Sequence, residues 1–156
     1  MPPTHDFRCA HDIVIDAPAE AIFDYVTNPN SWPEWIAASH EVTGPDRPLT
    51  TADTFREQWS SRTGPVTLDW IITACEHPRL WIGETGASFL GPIVVRYDIE
   101  PADGGHRFTR TVHNPARPQP ITDAMRAAVD AEAATALANI KRNVEARPRR
   151  DVDTRP

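Results

Sequence analysis

The stretch that most constrains this chain is its last long one, Ile121 to Ala146, which reads ITDAMRAAVDAEAATALANIKRNVEA. Its apolar residues Ile121, Met125, Val129, Ala133, Ala136, Leu137, Ile140 and Val144 recur at steps of three and four, so they share one stripe of a helix. Thr122 is placed to cap the start, Pro115, Pro118 and Pro120 crowd the approach, and Pro148 stops the helix. At about 1.5 Å per residue the helix runs roughly 39 Å. A single helix of that length needs a broad apolar surface to lie on.

The residues before it are patterned to supply that surface. A first strand spans Cys9 to Asp16, with Ile13 and Ile15 on one face. A short helix follows, opened by Pro18 and carrying Ala21, Ile22, Tyr25 and Val26 as its buried stripe, until Asn28-Pro29 breaks it. A second helical turn, Asn30 to Ile36, carries Trp32 and Trp35; Trp35 is expected in the core and Trp32 at a rim. From Ser39 the period becomes two, with candidate strands His40–Gly44, Asp53–Thr63, Val66–Cys75, Leu80–Ala87, Pro92–Glu100 and His106–His113. Gly44-Pro45, Gly64-Pro65, His77-Pro78, Gly91-Pro92 and Gly104-Gly105 punctuate them as turns. The order is strand, two short helices, six strands, one long helix: an α+β chain built on an antiparallel meander. With 156 residues, no internal repeat and no dividing linker, a single domain over 1–156 is expected, with flexible tails at 1–6 and 148–156.

Alternation assigns faces. Val66, Leu68, Trp70, Ile72 and Ala74 oppose Thr67, Asp69, Ile71, Thr73 and Cys75, and Ile93, Val95, Tyr97 and Ile99 oppose Val94, Arg96, Asp98 and Glu100. The same parity turns Phe55, Glu57 and Trp59 inward, with Leu80, Ile82 and Glu84, and with Phe108, Arg110 and Val112. Three charged residues thus fall on the apolar face. Trp81 and Ile71 fall on the outer one, where they hint at an interaction patch or a homodimer surface.

The totals exclude several classes. A net charge of −6 with scattered acids, and no basic cluster other than Arg147, Arg149 and Arg150, argues against nucleic acid as a partner. No apolar run approaches the length of a membrane span, and MPPTHDFRCAHD lacks the apolar core of a signal peptide, so a soluble cytoplasmic protein is expected. Cys9 and Cys75 form no motif, the six histidines stand at no ligand spacing, and neither a glycine-rich phosphate loop nor a nucleophile elbow is present. No metal and no cofactor is therefore expected. One lysine, Lys141, among sixteen basic residues hints at a high-GC bacterial source.

The order of elements and three local segments resemble the START-like, or helix-grip, superfamily, which includes polyketide cyclases/dehydrases and lipid-transport domains. The segments are Ile15-Asp16-Ala17-Pro18-Ala19-Glu20-Ala21-Ile22-Phe23-Asp24-Tyr25-Val26, Trp32-Pro33-Glu34-Trp35 and Glu76-His77-Pro78-Arg79-Leu80. The resemblance runs from about Phe7 to Ala146 and implies a curved seven-stranded antiparallel sheet wrapped around the C-terminal helix, with a cavity between them. Such a cavity implies a hydrophobic small-molecule ligand, and the family implies a cofactor-independent cyclase or dehydrase, a lyase-type activity, of bacterial metabolism. The alternative is a non-enzymatic carrier or sensor of a lipid, quinone or polyketide.

In that setting Glu57, Glu84 and Arg110 are the candidate catalytic residues. A carboxyl buried in a cavity has its pKa raised toward the range of a general acid or base, and a guanidinium beside it stabilises a developing oxyanion. Two alternatives stand beside this: an off-by-one parity near a bulge turns these residues to water, or a structural Glu–Arg pair fills the cavity. Phe55, Trp59, Trp70, Phe89, Tyr97, Phe108, Met125 and Val129 are the candidate ligand-binding residues, with core packing as the alternative for each. Glu132 reads as a solvated flank of the helix, and His113 as an exposed strand end.

Overall fold

The computed structural model of the chain describes residues 3–61, 64–86 and 91–147. Its strands are β1 (His5–Ile15), β2 (Ser39–Thr43), β3 (Thr54–Ser61), β4 (Gly64–Glu76), β5 (Leu80–Thr85), β6 (Ile93–Ala102) and β7 (Gly105–Arg117). Helix α1 (Ala19–Val26) and a 3-10 turn (Pro29–Glu34) stand between β1 and β2, and α2 (Asp123–Ala146) follows β7. The seven strands make one antiparallel sheet in the order β1-β7-β6-β5-β4-β3-β2. This is the helix-grip architecture that the resemblance implies.

Strands adjacent in sequence pair from β2 to β7, and β1 then pairs with the far end of that meander, Cys9 opposite Val112 and Ile15 opposite His106. The β6–β7 turn passes tightly under the end of β1. Gly105 has φ +138, and a Cβ there would stand 2.1 Å from the Ile15 carbonyl oxygen, so only glycine fits. Register shifts between His5 and Phe7, Ser39 and Glu41, and Ile72 and Ala74 interrupt the ladders. Such bulges add twist and bend, and they help the sheet curve.

Thr122 caps α2 as expected: its backbone is extended and its hydroxyl accepts from the Met125 amide at 3.1 Å. The helix therefore starts at Asp123, two residues later than its apolar stripe. Ala133, Ala136, Leu137, Ile140 and Val144 bury the second half of the stripe, whereas Met125, Ala128 and Val129 in the first half stay half-buried. The second half is also pinned by polar contacts, with Lys141 Nζ donating to the Val14 carbonyl at 3.1 Å and Glu145 accepting from the Asp16 amide at 2.8 Å. The first half is held more sparsely, by His11 Nε2 on Asp130 at 2.8 Å and by Arg126 over the Phe7 ring.

The closed end of the concave face is packed with aromatic rings. Trp32, expected at a rim, is its centre: it is 2% exposed, its indole N–H donates to the Val26 carbonyl, and its ring lies within 5.2–6.2 Å of Phe55, Trp70, Trp35 and Trp81. The correction has a local cause, because the rigid Pro29–Glu34 turn projects Trp32 over the sheet and away from its edge.

The parity expected for β5 is also reversed. Trp81, Gly83 and Thr85 face the core, with Trp81 0% exposed and its indole N–H donating to the Leu49 carbonyl at 2.9 Å, and Glu84 is exposed on the other face. Leu80 and Ile82 make one face of this six-residue strand apolar, but Trp81 buries more area on the opposite one. The bulge between Ile72 and Ala74 rephases β4, so that Cys75 stands opposite Trp81. Trp81 is thus no part of an outer patch, and Ile71, 45% exposed, is the large apolar residue left outside among the described residues.

Candidate active site

Alternation along β3 points Phe55, Glu57 and Trp59 into the concave face, and along β7 it points Phe108, Arg110 and Val112 the same way. Three strands separate β3 from β7 in the sheet, and its curvature brings the two charged residues within electrostatic reach of one another. Tyr97 stands directly opposite Arg110 in the β6–β7 ladder. Ser39, the first residue of β2, stands opposite Trp59.

Glu57 is 0% exposed, and its Oε1 accepts from the Trp70 indole N–H at 3.0 Å while its Oε2 has no hydrogen-bond partner. Burial pushes its pKa up; Ser39, Trp70 and, more weakly, the Arg110 charge act in the opposite sense. The Ser39 hydroxyl stands close enough to Glu57 to favour its ionised form, although it makes no hydrogen bond of normal geometry. Tyr97 is 0% exposed, and burial raises its pKa further above the usual tyrosine range despite the Arg110 charge. Its hydroxyl is protonated at neutral pH and makes no hydrogen bond of normal geometry, although Arg110 stands close enough to interact with it. Arg110 lies with its guanidinium 5.7 Å from the Trp35 ring centre, and its buried Nε is likewise unbonded.

Ser39 Oγ, Glu57 Oε2, Tyr97 Oη and Arg110 Nε are buried polar atoms without partners, and Tyr97 and Glu57 both feel Arg110. Buried polar groups are ordinarily bonded, so such a set is unusual. Around it the inward residues Trp59, Val66, Ile93 and Val112 remain half-buried, as do Met125 and Val129 of α2. On the side of β1, Cys9 and His11 face the same space: His11 is the register partner of Arg110, and burial raises the Cys9 thiol pKa against the lowering effect of Arg110.

Of the residues singled out from the sequence, Glu57, Arg110 and Tyr97 come together, with Trp59, Met125 and Val129 along the half-open part of the face. Phe55 and Trp70 stack on one another in the aromatic core, and Phe108 packs on Tyr97. Glu84 does not join them. It lines an open depression of about 690 Å³ on the outside, where Arg56 and Asp69 pair at 2.7 Å. Phe89 lies outside the described residues. Sequence reasoning passed over the Tyr97 hydroxyl, Ser39 and the Trp35 ring beneath Arg110; inward parity marked Tyr97, but only as an apolar wall. Glu132 is exposed, and His113 bonds Asp6 at 2.6 Å. Among the described residues no set of His, Cys, Asp or Glu is grouped to hold a metal, and no helix is long and apolar enough to cross a membrane.

Residues 6–145 match the profile of a protein family described as polyketide cyclase / dehydrase and lipid transport. No curated protein sequence matches the chain. Among solved structures it is similar to the Zhui aromatase/cyclase of a Streptomyces species, with TM-score 0.73 and 12% identity over 96% of this chain and 100% of that one. A Rhodobacter sphaeroides protein superposes with TM-score 0.71 and 19% identity, covering 90% of this chain and 93% of its own. The di-domain aromatase/cyclase StfQ of the steffimycin biosynthetic pathway superposes with TM-score 0.71 and 14% identity over 90% of this chain, which spans 51% of that protein. At such identities the likeness is one of fold.

Proposed function

The chain belongs to the polyketide cyclase/dehydrase and lipid transport family, and from that premise we propose that it binds a hydrophobic small molecule between sheet and α2 and acts on it as a cofactor-independent cyclase or dehydrase. The observation that carries this reading is the meeting of Glu57 Oε2, Tyr97 Oη, Arg110 Nε and Ser39 Oγ, each buried and each without a protein partner. Leaving such groups unbonded costs about 1–3 kcal/mol apiece, which a ligand with matching oxygens offsets.

The chemistry follows from the protonation states. Arg110 and the Tyr97 hydroxyl are donors, suited to a carbonyl oxygen that gains charge as an enolate forms. In an aldol-type ring closure an α-proton passes to solvent as the enolate forms, the enolate carbon attacks a second carbonyl carbon, and the resulting alkoxide takes a proton back from solvent. In the dehydration that follows, Glu57 gives its proton to the departing hydroxyl, water leaves, and the α-proton returns to the carboxylate. Trp59, Met125 and Val129 hold the apolar body so that the two carbonyl carbons meet.

Native mass spectrometry of freshly purified protein, compared with the same sample under denaturing conditions, tests the binding half of the proposal, since a co-purified small molecule reports an occupied site. Turnover of poly-β-ketone substrates by wild type, Glu57→Gln and Arg110→Ala tests the catalytic half. Arg110→Ala leaving both turnover and ligand affinity unchanged overturns the assignment. Carriage of a lipid, quinone or polyketide is the second reading, favoured by the half-buried apolar residues Trp59, Val112, Met125 and Val129, and it predicts a bound ligand with no turnover.

A further inference from the structure

The charges around Arg110 do not balance. Among the described residues no carboxylate forms an ion pair with Arg110. α2 brings one carboxylate and one cation, Asp130 on His11 at 2.8 Å and Arg126 over the Phe7 ring, which offset one another. From β1, His11 and the Cys9 thiol bring no negative charge, because burial keeps the thiol protonated. From β6, Tyr97 is a neutral hydroxyl, and from the 3-10 turn Trp35 offers a ring face 5.7 Å away, which attracts a cation without neutralising it. From β3, Glu57 lies in electrostatic reach of Arg110, and its desolvation favours the neutral acid. A guanidinium partly out of water with an unbonded Nε is costly to leave without a counter-charge.

We propose that the ligand of this site binds as a monoanion: a flat apolar body carrying one ionised oxygen acid, a carboxylate or an acidic enol, held by the Arg110 guanidinium and the Tyr97 hydroxyl. This rests on the proposed function above and narrows its substrate class, excluding neutral esters and ketones as the resting ligand. It also reassigns the proton transfers. A 1,3-dicarbonyl that arrives as its enolate already carries the nucleophilic carbon, so no base on the protein is required for its formation. Glu57, whose burial favours the protonated form, acts as the acid on the departing hydroxyl, and the positive charge of Arg110 keeps the enolate ionised in the bound state.

Isothermal titration calorimetry at about pH 7 with two matched pairs of probes tests this: 2-naphthoate against methyl 2-naphthoate for the carboxylate, and 4-hydroxycoumarin against 4-methoxycoumarin for the acidic enol. In wild type at least one anion binds roughly tenfold or more tightly than its neutral partner, and which pair discriminates identifies the acid. Arg110→Gln brings the discriminating pair to within about twofold, weakening the anion more than its neutral partner, and Arg110→Lys restores part of the preference. Far-UV circular dichroism of each variant confirms that it is folded, and the wild-type ratio decides the matter without them. Neutral probes that bind as tightly as their acids overturn the monoanion proposal and leave the ligand site standing. Failure of all four probes to bind wild type overturns both.

Discussion

Replacing Glu57 by glutamine tests the electrostatics of the site without touching its shape. The amide carbonyl keeps the acceptor that the Trp70 indole N–H uses at 3.0 Å, so the change is confined to the ionisable oxygen, which is buried and unbonded. Burial raises the pKa of Glu57 in the folded protein above the roughly 4.3 of an unfolded chain. Between those two values the folded state holds a proton that the unfolded state has released. The contribution of this group is therefore fully present below about pH 4.3 and is lost as pH rises through the folded pKa. The slope reaches about 1.4 kcal/mol per pH unit, or about 3–6 °C in Tm for a domain of this size. The Gln variant lacks that dependence. Any penalty of about 1–3 kcal/mol from its buried amide N–H groups is the same at every pH, so it shifts the offset and not the slope. Thermal and urea unfolding of both proteins from about pH 4.5 to 8 should show the stability difference moving in favour of Glu57→Gln as pH rises, then levelling off. A difference independent of pH, or one that moves against the variant with rising pH, refutes the raised carboxyl and with it the role of Glu57 as a proton donor.

Three further outcomes follow from the packing. Trp32→Ala removes a 2%-exposed ring with four aromatic neighbours and should cost about 3–5 kcal/mol in chemical denaturation, whereas Trp59→Ala, at a half-buried position, should cost clearly less; equal losses contradict the placement of Trp32 at the centre of the core. Glu84→Gln, on the outer face, should leave turnover and ligand affinity at wild-type values and stability within about 0.5 kcal/mol, and a loss of activity returns Glu84 to the site. Gly105→Ala places a Cβ against the Ile15 carbonyl at φ +138 and should lower Tm by more than the few degrees of an ordinary surface change, because backbone stands on both sides of the clash.

The sequence by itself determined what is periodic and local. The spacing of Ala133, Ala136, Leu137, Ile140 and Val144 specifies the gripped half of α2, and alternation along β3, β6 and β7 turns Glu57, Tyr97 and Arg110 inward, because a strand cannot present neighbouring residues to the same face without a bulge. Where a bulge intervenes the same rule misleads: Glu84 follows a strand too short to average out one tryptophan, beside a β4 whose register shifts after Ile72. Only the tertiary structure decided which inward residues meet. Glu57 and Arg110 lie on strands with three others between them, and their approach depends on the curvature of the whole sheet, to which no single segment commits. The tight burial of Trp32 and the loosely covered first half of α2 are likewise properties of surfaces placed against each other. Periodicity assigns a residue to a face, whereas its distance from a residue on a distant strand is set by every strand and bulge that lies between.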